Sequence, residues 1–373
     1  MINVINVISD TNIGGAGKCL LTYLKYRNQE KFNVTVVLPR GSLLCPEIKN
    51  LGVRYIEIDG MADRSLDWKA IRKLTAVFRQ EQPQIIHAHA CMAARFAGRI
   101  YGKARIIYTR HSVFEPGKAI SRGLGKCING LVNNATADRI IAVAEAAKEN
   151  LVQTGVNPQK IVVIKNGVEP VRRVDEEEKR RLRSKYNVLD GEILIGIAAR
   201  LNEVKGHVYM VEALKLLIDD GFQVKLLIAG TGDYEPVIRE KIRELGMEMH
   251  VIMAGFVSDV TGLVNILDIN LNASFGTEAT SLALLEGMSM GVPAVVSDFG
   301  GNPGVIQDGV NGFLFPKCDS TAMYHKIKLL LADRTLYQKM SENCLEAFEK
   351  EFRAERMTER IEQVYDSVLQ RKE

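Results

Sequence analysis

The chain has no Cys-x-x-Cys pair, no Asp-x-Asp triplet and no apolar run near the roughly 18 residues needed to cross a bilayer. Its six cysteines, Cys19, Cys45, Cys91, Cys127, Cys318 and Cys344, lie far apart. That spacing removes the usual zinc and redox-dithiol signatures and favours a reducing, cytoplasmic setting. The missing Asp-x-Asp removes a common short acidic motif for a metal-bound diphosphate, so no metal is expected and no cofactor is called for. A formal charge of +4 over 373 residues gives no case for nucleic-acid binding. The opening Met1-Ile-Asn-Val-Ile-Asn-Val-Ile8 lacks the basic start and cleavage site of a signal peptide and reads as a strand.

What is present is an ordinary globular composition, 46% hydrophobic and 25% charged, in a chain long enough for two cores. Short β-branched runs alternate with amphipathic stretches throughout, the sequence form of parallel sheets covered by helices. One series runs from Asn3–Ile8 to Lys160–Ile164 and a second from Ile193–Ala198 to Gly312–Phe315. Between them, Asn166-Gly-Val-Glu-Pro170 supplies turn chemistry, and the charged run from Val174 to Lys185 reads as a solvated helix. The expected domains are 1–167 and 168–354, with a last helix at about 355–373 bracing the first.

The densest functional signal is Phe275-Gly-Thr-Glu-Ala-Thr-Ser-Leu-Ala-Leu-Leu-Glu286, continuing to Pro293. Glu278 would precede an apolar helix and Glu286 would lie inside it. Ala279, Thr280, Ser281 and Leu282 would supply amides and hydroxyls where orphan donors and the helix dipole favour a phosphate. The segment follows the strand-like Asp268–Asn272, and open α/β sheets bind ligands at such carboxyl ends.

A second strand, Ile193–Ala198, leads into Arg200 and Lys205. A guanidinium fork and a mobile ammonium together suit a diphosphate. Glycines recur at strand ends: Gly14 and Gly15 after the first strand, Gly232 and Gly255 later, with Phe256 placed to flank a nucleobase. The first glycine loop is not a Walker A loop, because Asn12 and Cys19 replace the required Gly and Ser or Thr. It also fails the dinucleotide fingerprint, since Leu20 replaces the third glycine. Either an anion contact or a tight turn without ligand explains it.

His87 and His89 would share one face of a strand. Without a third ligand of suitable spacing they read as hydrogen-bonded structural histidines. His111, after Arg105–Thr109, fits either a ligand contact or a structural role.

Taken together, these residues resemble the retaining glycosyltransferases of the GT-B fold, family 4 (group 1) type. The likeness runs through Gly14-Gly15, Ile85-Ile-His-Ala-His89, Ala137–Val143, Ile164-Lys-Asn-Gly-Val168, the Arg200 and Lys205 pair, and the long segment from Glu278 to Pro293. It implies an α/β chain of two Rossmann-like parallel-sheet domains facing across a deep cleft. The C-terminal domain would hold a nucleotide sugar and the N-terminal one an acceptor. It further implies that Arg200 and Lys205 neutralise the diphosphate, Glu278 orients the sugar, Glu286 takes the ribose, Gly15 meets phosphate and His111 lies by the site of transfer. Family members often carry Gly-Phe-Gly after the first Glu, where this chain has Ala279-Thr280-Ser281.

The expected activity is sugar transfer from a nucleotide diphosphate donor, UDP-linked by the family's habit, to a hydroxyl acceptor of glycan or lipid-linked type. Rival readings are a nucleotide-sugar epimerase or hydrolase on a similar fold, and a non-catalytic binding protein. Lys118, Arg122 and Lys126, spaced by four beside apolar residues, suit peripheral contact with the inner face of a membrane or an ordinary surface helix.

Overall fold

β-Branched and aliphatic runs buried on both faces belong in the middle of parallel sheets, where helices cover each side. The computed structural model describes residues 1–61 and 67–370; the last three positions of the expected bracing helix, 371–373, lie outside the described residues. Contacts divide the chain into two units, residues 1–167 joined by helix Ala354–Gln370, and Val168–Arg353.

In the first unit, the described residues form strands β1 (Ile2–Ile8), β2 (Phe32–Pro39), β3 (Arg54–Ile58), β4 (Ile85–His89), β5 (Arg105–Arg110), β6 (Arg139–Ala142) and β7 (Ile161–Val163). They make one parallel sheet in the order β3-β2-β1-β4-β5-β6-β7. Alternation splits each strand between two cores. Ile85 faces Tyr23, Leu24, Tyr365 and Val368. Ile86 and Ala88 face the helices that carry Leu74, Phe78 and Ala97. Helix Ala354–Gln370 joins through Tyr365, which packs edge-on against Tyr23 and Phe32 at ring separations of 5.9 and 5.5 Å.

In the second unit, the described strands are β8 (Ile193–Ala198), β9 (Val224–Ala229), β10 (Val251–Gly255), β11 (Ile269–Asn272), β12 (Ala294–Ser297) and β13 (Gly312–Phe315). Their parallel order is β10-β9-β8-β11-β12-β13. The charged run becomes helix Glu176–Lys185, capped by Asp175, whose carboxylate accepts from the Glu178 amide at 2.8 Å. Three glutamates occupy its first turn and Arg183 and Lys185 its last, matching the helix dipole.

The chain leaves β8 toward β9 and β10 on one side, and leaves β11 toward β12 and β13 on the other. Neighbouring strands β8 and β11 therefore form a topological switch point, whose carboxyl ends open a crevice between diverging loops. Among the described residues no helix is long and apolar enough to cross a membrane.

Candidate active site

Both strands at the switch point end in sequence rich in chemistry. β8 runs into Arg200 and Lys205, and β11 runs into the loop that carries Glu278. The two loops are tied by the Phe275 amide, which donates to the Val204 carbonyl at 2.9 Å. Gly206 sits between them with φ +69°, and a Cβ there would stand 2.2 Å from the Ala273 carbonyl oxygen. Only glycine satisfies both the left-handed backbone and the approach.

This clasp brings Lys205 Nζ to 2.8 Å from Glu278 Oε2, with a second donation to the Thr277 carbonyl at 3.2 Å. Glu278 is 7% exposed, so its charge requires partners. Asn272 Nδ2 donates to the same Oε2 at 3.1 Å and Ser274 Oγ at 3.0 Å. Asn272 is held in turn, since its Oδ1 accepts from the Ser274 amide at 3.0 Å. Asn302 donates to the Ser297 carbonyl at 3.1 Å, and Ser297 Oγ donates to the Ser274 carbonyl at 2.6 Å. Gly301 donates its amide to the Glu278 carbonyl at 3.1 Å.

The pair still has capacity for a ligand. An ammonium has three donors, and two are engaged by Glu278 and Thr277. The three bonds to Glu278 all converge on Oε2, and none of them uses Oε1. The arrangement can hold an anion on the lysine and a hydroxyl on the carboxylate together.

Helix Leu282–Ser289 begins four residues after Glu278. Ser281 is its N-cap, and its Oγ accepts from the Leu284 amide at 3.3 Å. The Ser281 hydroxyl therefore serves the helix, while the first-turn amides of Leu282 and Ala283 have no intrahelical acceptor. Ala279 is buried and Thr280 half-buried, and Glu286 is the half-buried fifth residue of the helix. Arg200 is exposed at the end of β8 and forms no ion pair among the described residues.

Phe256 follows β10, the edge strand two removed from β8, and its side chain is exposed. Gly232 is explained by the chain itself, because a Cβ there would meet the Leu201 carbonyl oxygen at 2.0 Å. In the first unit, Gly14 precedes helix Gly15–Tyr26, and a Cβ on it would lie 3.2 Å from Asp10 Oδ2. A Cβ on Gly15 would meet nothing within 4 Å. His87 is bonded to Tyr365 at 2.8 Å and Thr109 at 2.6 Å, and His89 to His111 and Asn6 at 3.0 Å each.

Sequence reasoning missed the polar scaffold of Asn272, Ser274, Ser297 and Asn302. The signal was the pair Asn270 and Asn272 in an otherwise apolar strand. It also missed His207, fully buried at the start of helix His207–Asp219 with neither ring nitrogen hydrogen-bonded. Burial and the nearby Lys205 push its pKa down to about 4.

Residues 178–346 match the family Glycosyl transferases group 1, and residues 13–172 match Glycosyltransferase Family 4. The putative glycosyltransferase EpsD of Bacillus subtilis (strain 168) is 30% identical over 282 residues, 73% of each chain. N-acetyl-alpha-D-glucosaminyl L-malate synthase of Bacillus anthracis is 27% identical over 370 residues, 96% of this chain and 95% of the relative. Among solved structures, Anabaena Alr3699/HepE in complex with UDP and glucose superposes with a TM-score of 0.86 at 20% identity, covering 98% of this chain and 100% of that one. A glycosyltransferase from Rickettsia africae gives the same TM-score over 100% and 99% of the two chains. The chain belongs to the group 1 glycosyltransferases and has the GT-B fold.

Proposed function

We propose that this glycosyltransferase moves a sugar from a nucleoside diphosphate sugar, with uridine as the base, to a hydroxyl acceptor in polysaccharide or glycolipid synthesis, with retention at the anomeric carbon. The Lys205–Glu278 pair at the switch point carries the reading. Lys205 spends its third N–H on the diphosphate, Arg200 adds a mobile guanidinium, and the amides that open helix Leu282–Ser289 complete the anion site. These groups hold the charge that grows as the glycosidic bond breaks, and the acceptor attacks from the leaving-group face. Glu278 holds sugar hydroxyls and Glu286 the ribose. The first unit receives the acceptor; the family likeness assigns Gly15 a phosphate contact and His111 a part in the transfer step. Cationic side chains do the work of charge stabilisation, so transfer continues after chelation of divalent ions.

The Anabaena structure contains UDP and glucose, and the Bacillus anthracis relative is named for an N-acetylglucosaminyl product, which supports the donor class. A donor screen of uridine, guanosine and adenosine diphosphate sugars, reading released nucleotide with and without acceptor, tests the proposal. Acceptor-dependent release from one uridine diphosphate sugar supports it. Rapid conversion of the donor alone replaces it with an epimerase or hydrolase.

Peripheral binding to an anionic bilayer is a second reading carried by its own observation. On helix Gly123–Thr136, Leu124, Ile128 and Leu131 are 76%, 53% and 70% exposed. At 100° per residue they fall within an arc of about 60°. Lys118 and Arg122 are exposed beside them. Two glycines of this helix serve packing, since a Cβ on Gly125 would meet the Ala119 carbonyl oxygen at 1.8 Å and one on Gly130 the Gly155 carbonyl oxygen at 2.2 Å. An apolar stripe turned outward with cations alongside fits a lipid headgroup boundary, and it makes a lipid-linked acceptor the expected class.

A further inference from the structure

The first sheet has its own topological switch point, between β1 and β4, and a histidine array occupies it. Parallel register pairs Asn6 with His87, and His89 with Thr109, so that one face of the sheet collects Asn6, His87, His89 and Thr109. His111 follows two residues after Thr109. The imidazoles stack in series, with ring centroids 4.4 Å apart for His87 and His89 and 5.2 Å for His89 and His111. All three line one small pocket within this unit, together with Asn166 and Met357.

The hydrogen bonds give the array a direction. The Asn6 amide is placed with Oδ1 3.0 Å from His89 Nε2 and with its own Nδ2 buried and unpaired; an amide oxygen only accepts, so in this placement His89 Nε2 carries the proton. His89 Nδ1 is then a lone pair, and it accepts from His111 Nε2–H at 3.0 Å. That leaves His111 Nδ1 as a second lone pair, buried and without a partner among the described residues. Burial pushes His111 down to about 4 and His89 well below its ordinary range, so both rings are neutral at pH 7 and the direction holds. A buried acceptor with no donor is unfavourable until something supplies one. So weak a base takes a hydrogen bond without removing the proton.

We propose that Asn6 and His89 are positioning residues that fix His111 in its Nε2–H tautomer, so that its Nδ1 accepts a hydrogen bond from a carbohydrate hydroxyl. This rests on the sugar-transfer reading for its ligand, and on the chain alone for the placement of the proton. Neither Asn6 nor His89 needs to touch substrate. The hydroxyl belongs to the transferred sugar or to the acceptor.

Ring-15N-histidine labelling of the full chain, which contains six histidines, allows two-bond 1H–15N spectra to report each tautomer without turnover, with His89 and His111 assigned by single substitution. The expected spectrum shows both rings protonated at Nε2 and bare at Nδ1. A His111 ring protonated at Nδ1, or one averaging between tautomers, overturns the proposal. His89→Leu and Asn6→Leu should release His111 to a tautomer mixture and lower kcat/KM about three- to tenfold, the worth of one oriented hydrogen bond. His89→Gln keeps an amide donor and a carbonyl acceptor and should restore both. A rise in the donor KM assigns the hydroxyl to the sugar, and a rise in the acceptor KM to the acceptor. His89→Leu that leaves the His111 spectrum unchanged also overturns the proposal. A correct tautomer in a chain that transfers no sugar counts against the functional reading alone.

Discussion

Lys205 and Glu278 are 73 residues apart in sequence and 2.8 Å apart in space, each supplied by one of the two strands that border the switch point of the second sheet. The ammonium satisfies a carboxylate that is nearly buried, and it retains one donor of its own. Structural support and ligand binding thus meet in a single side chain, and substitution separates them.

Lys205→Ala removes the ammonium from the anion site and leaves Glu278 with only Asn272 and Ser274 as donors to Oε2. Transfer should fall by about 10²–10³ in kcat, the range for loss of one group that stabilises developing charge. Stability should fall by about 1–3 kcal/mol, because a buried charge loses a partner. Steady-state kinetics and denaturant midpoints measure the two losses independently. A variant with near-wild-type kcat would remove Lys205 from the mechanism and leave it a structural residue.

Gly15 and Gly206 should respond in opposite ways to alanine. At Gly206, φ is +69° and the new Cβ would lie 2.2 Å from the Ala273 carbonyl oxygen, so Gly206→Ala should cost about 1–3 kcal/mol or more of stability. At Gly15 a Cβ meets nothing within 4 Å, and the residue opens helix Gly15–Tyr26, where alanine is the better helix former. Gly15→Ala should therefore leave the melting temperature unchanged or higher while lowering transfer, if phosphate approaches the backbone there. Unaltered kinetics in Gly15→Ala would show that nothing does.

The contrast between these glycines shows where the sequence could be read and where it could not. Arg200, Lys205 and Glu278 were legible because each follows a run that must be a parallel strand, and parallel strands deliver their carboxyl ends to one edge. The Lys205–Glu278 pair is a local consequence of that rule. Phe256 follows a strand by the same reading, yet β10 lies at the sheet edge, and strand order is a property of the whole packing rather than of residues 251–256. Gly232 is required by packing whatever else it meets, and that requirement was not readable, since the atom it makes room for, the Leu201 carbonyl oxygen, comes from another loop. Asn272 and Ser274 were readable only as polar residues at a strand end. Their role depends on Ser297 and Asn302, which the neighbouring strand brings alongside. The direction of the Asn6, His89 and His111 array depends in the same way on register between β1 and β4.

His207 predicts a pH response. Its pKa is held at about 4 in the folded chain against 6.5 for the ordinary group. Between those values the unfolded chain binds a proton that the folded chain does not, so stability rises with pH across this window. On acidification it is lost from about pH 6.5 downward, at about 1.4 kcal/mol per pH unit for each such histidine. His207→Met should remove one proton from that dependence. It should also stabilise the protein at pH 7 by about 1–2 kcal/mol, because neither ring nitrogen has a partner to lose. Denaturation midpoints at pH 7 and pH 5 for the two proteins give the difference directly, and equal pH slopes would mean that His207 is paired in solution.

The outward apolar stripe makes the last prediction. Leu124 and Leu131 are 76% and 70% exposed, so substituting them disturbs no core, and Leu124→Glu with Leu131→Glu should leave the melting temperature within about 0.5 kcal/mol equivalent of the parent. The same change removes two large side chains from a bilayer contact and places two anions against an anionic surface. Sedimentation with phosphatidylglycerol-containing vesicles should retain the parent protein at low salt and release the double variant. Neutral phosphatidylcholine vesicles should retain the parent more weakly, because Lys118, Arg122 and Lys126 lose their counterpart. Equal binding of both proteins to anionic vesicles would turn the stripe back into an ordinary surface, and transfer to a soluble acceptor would then need no membrane at all.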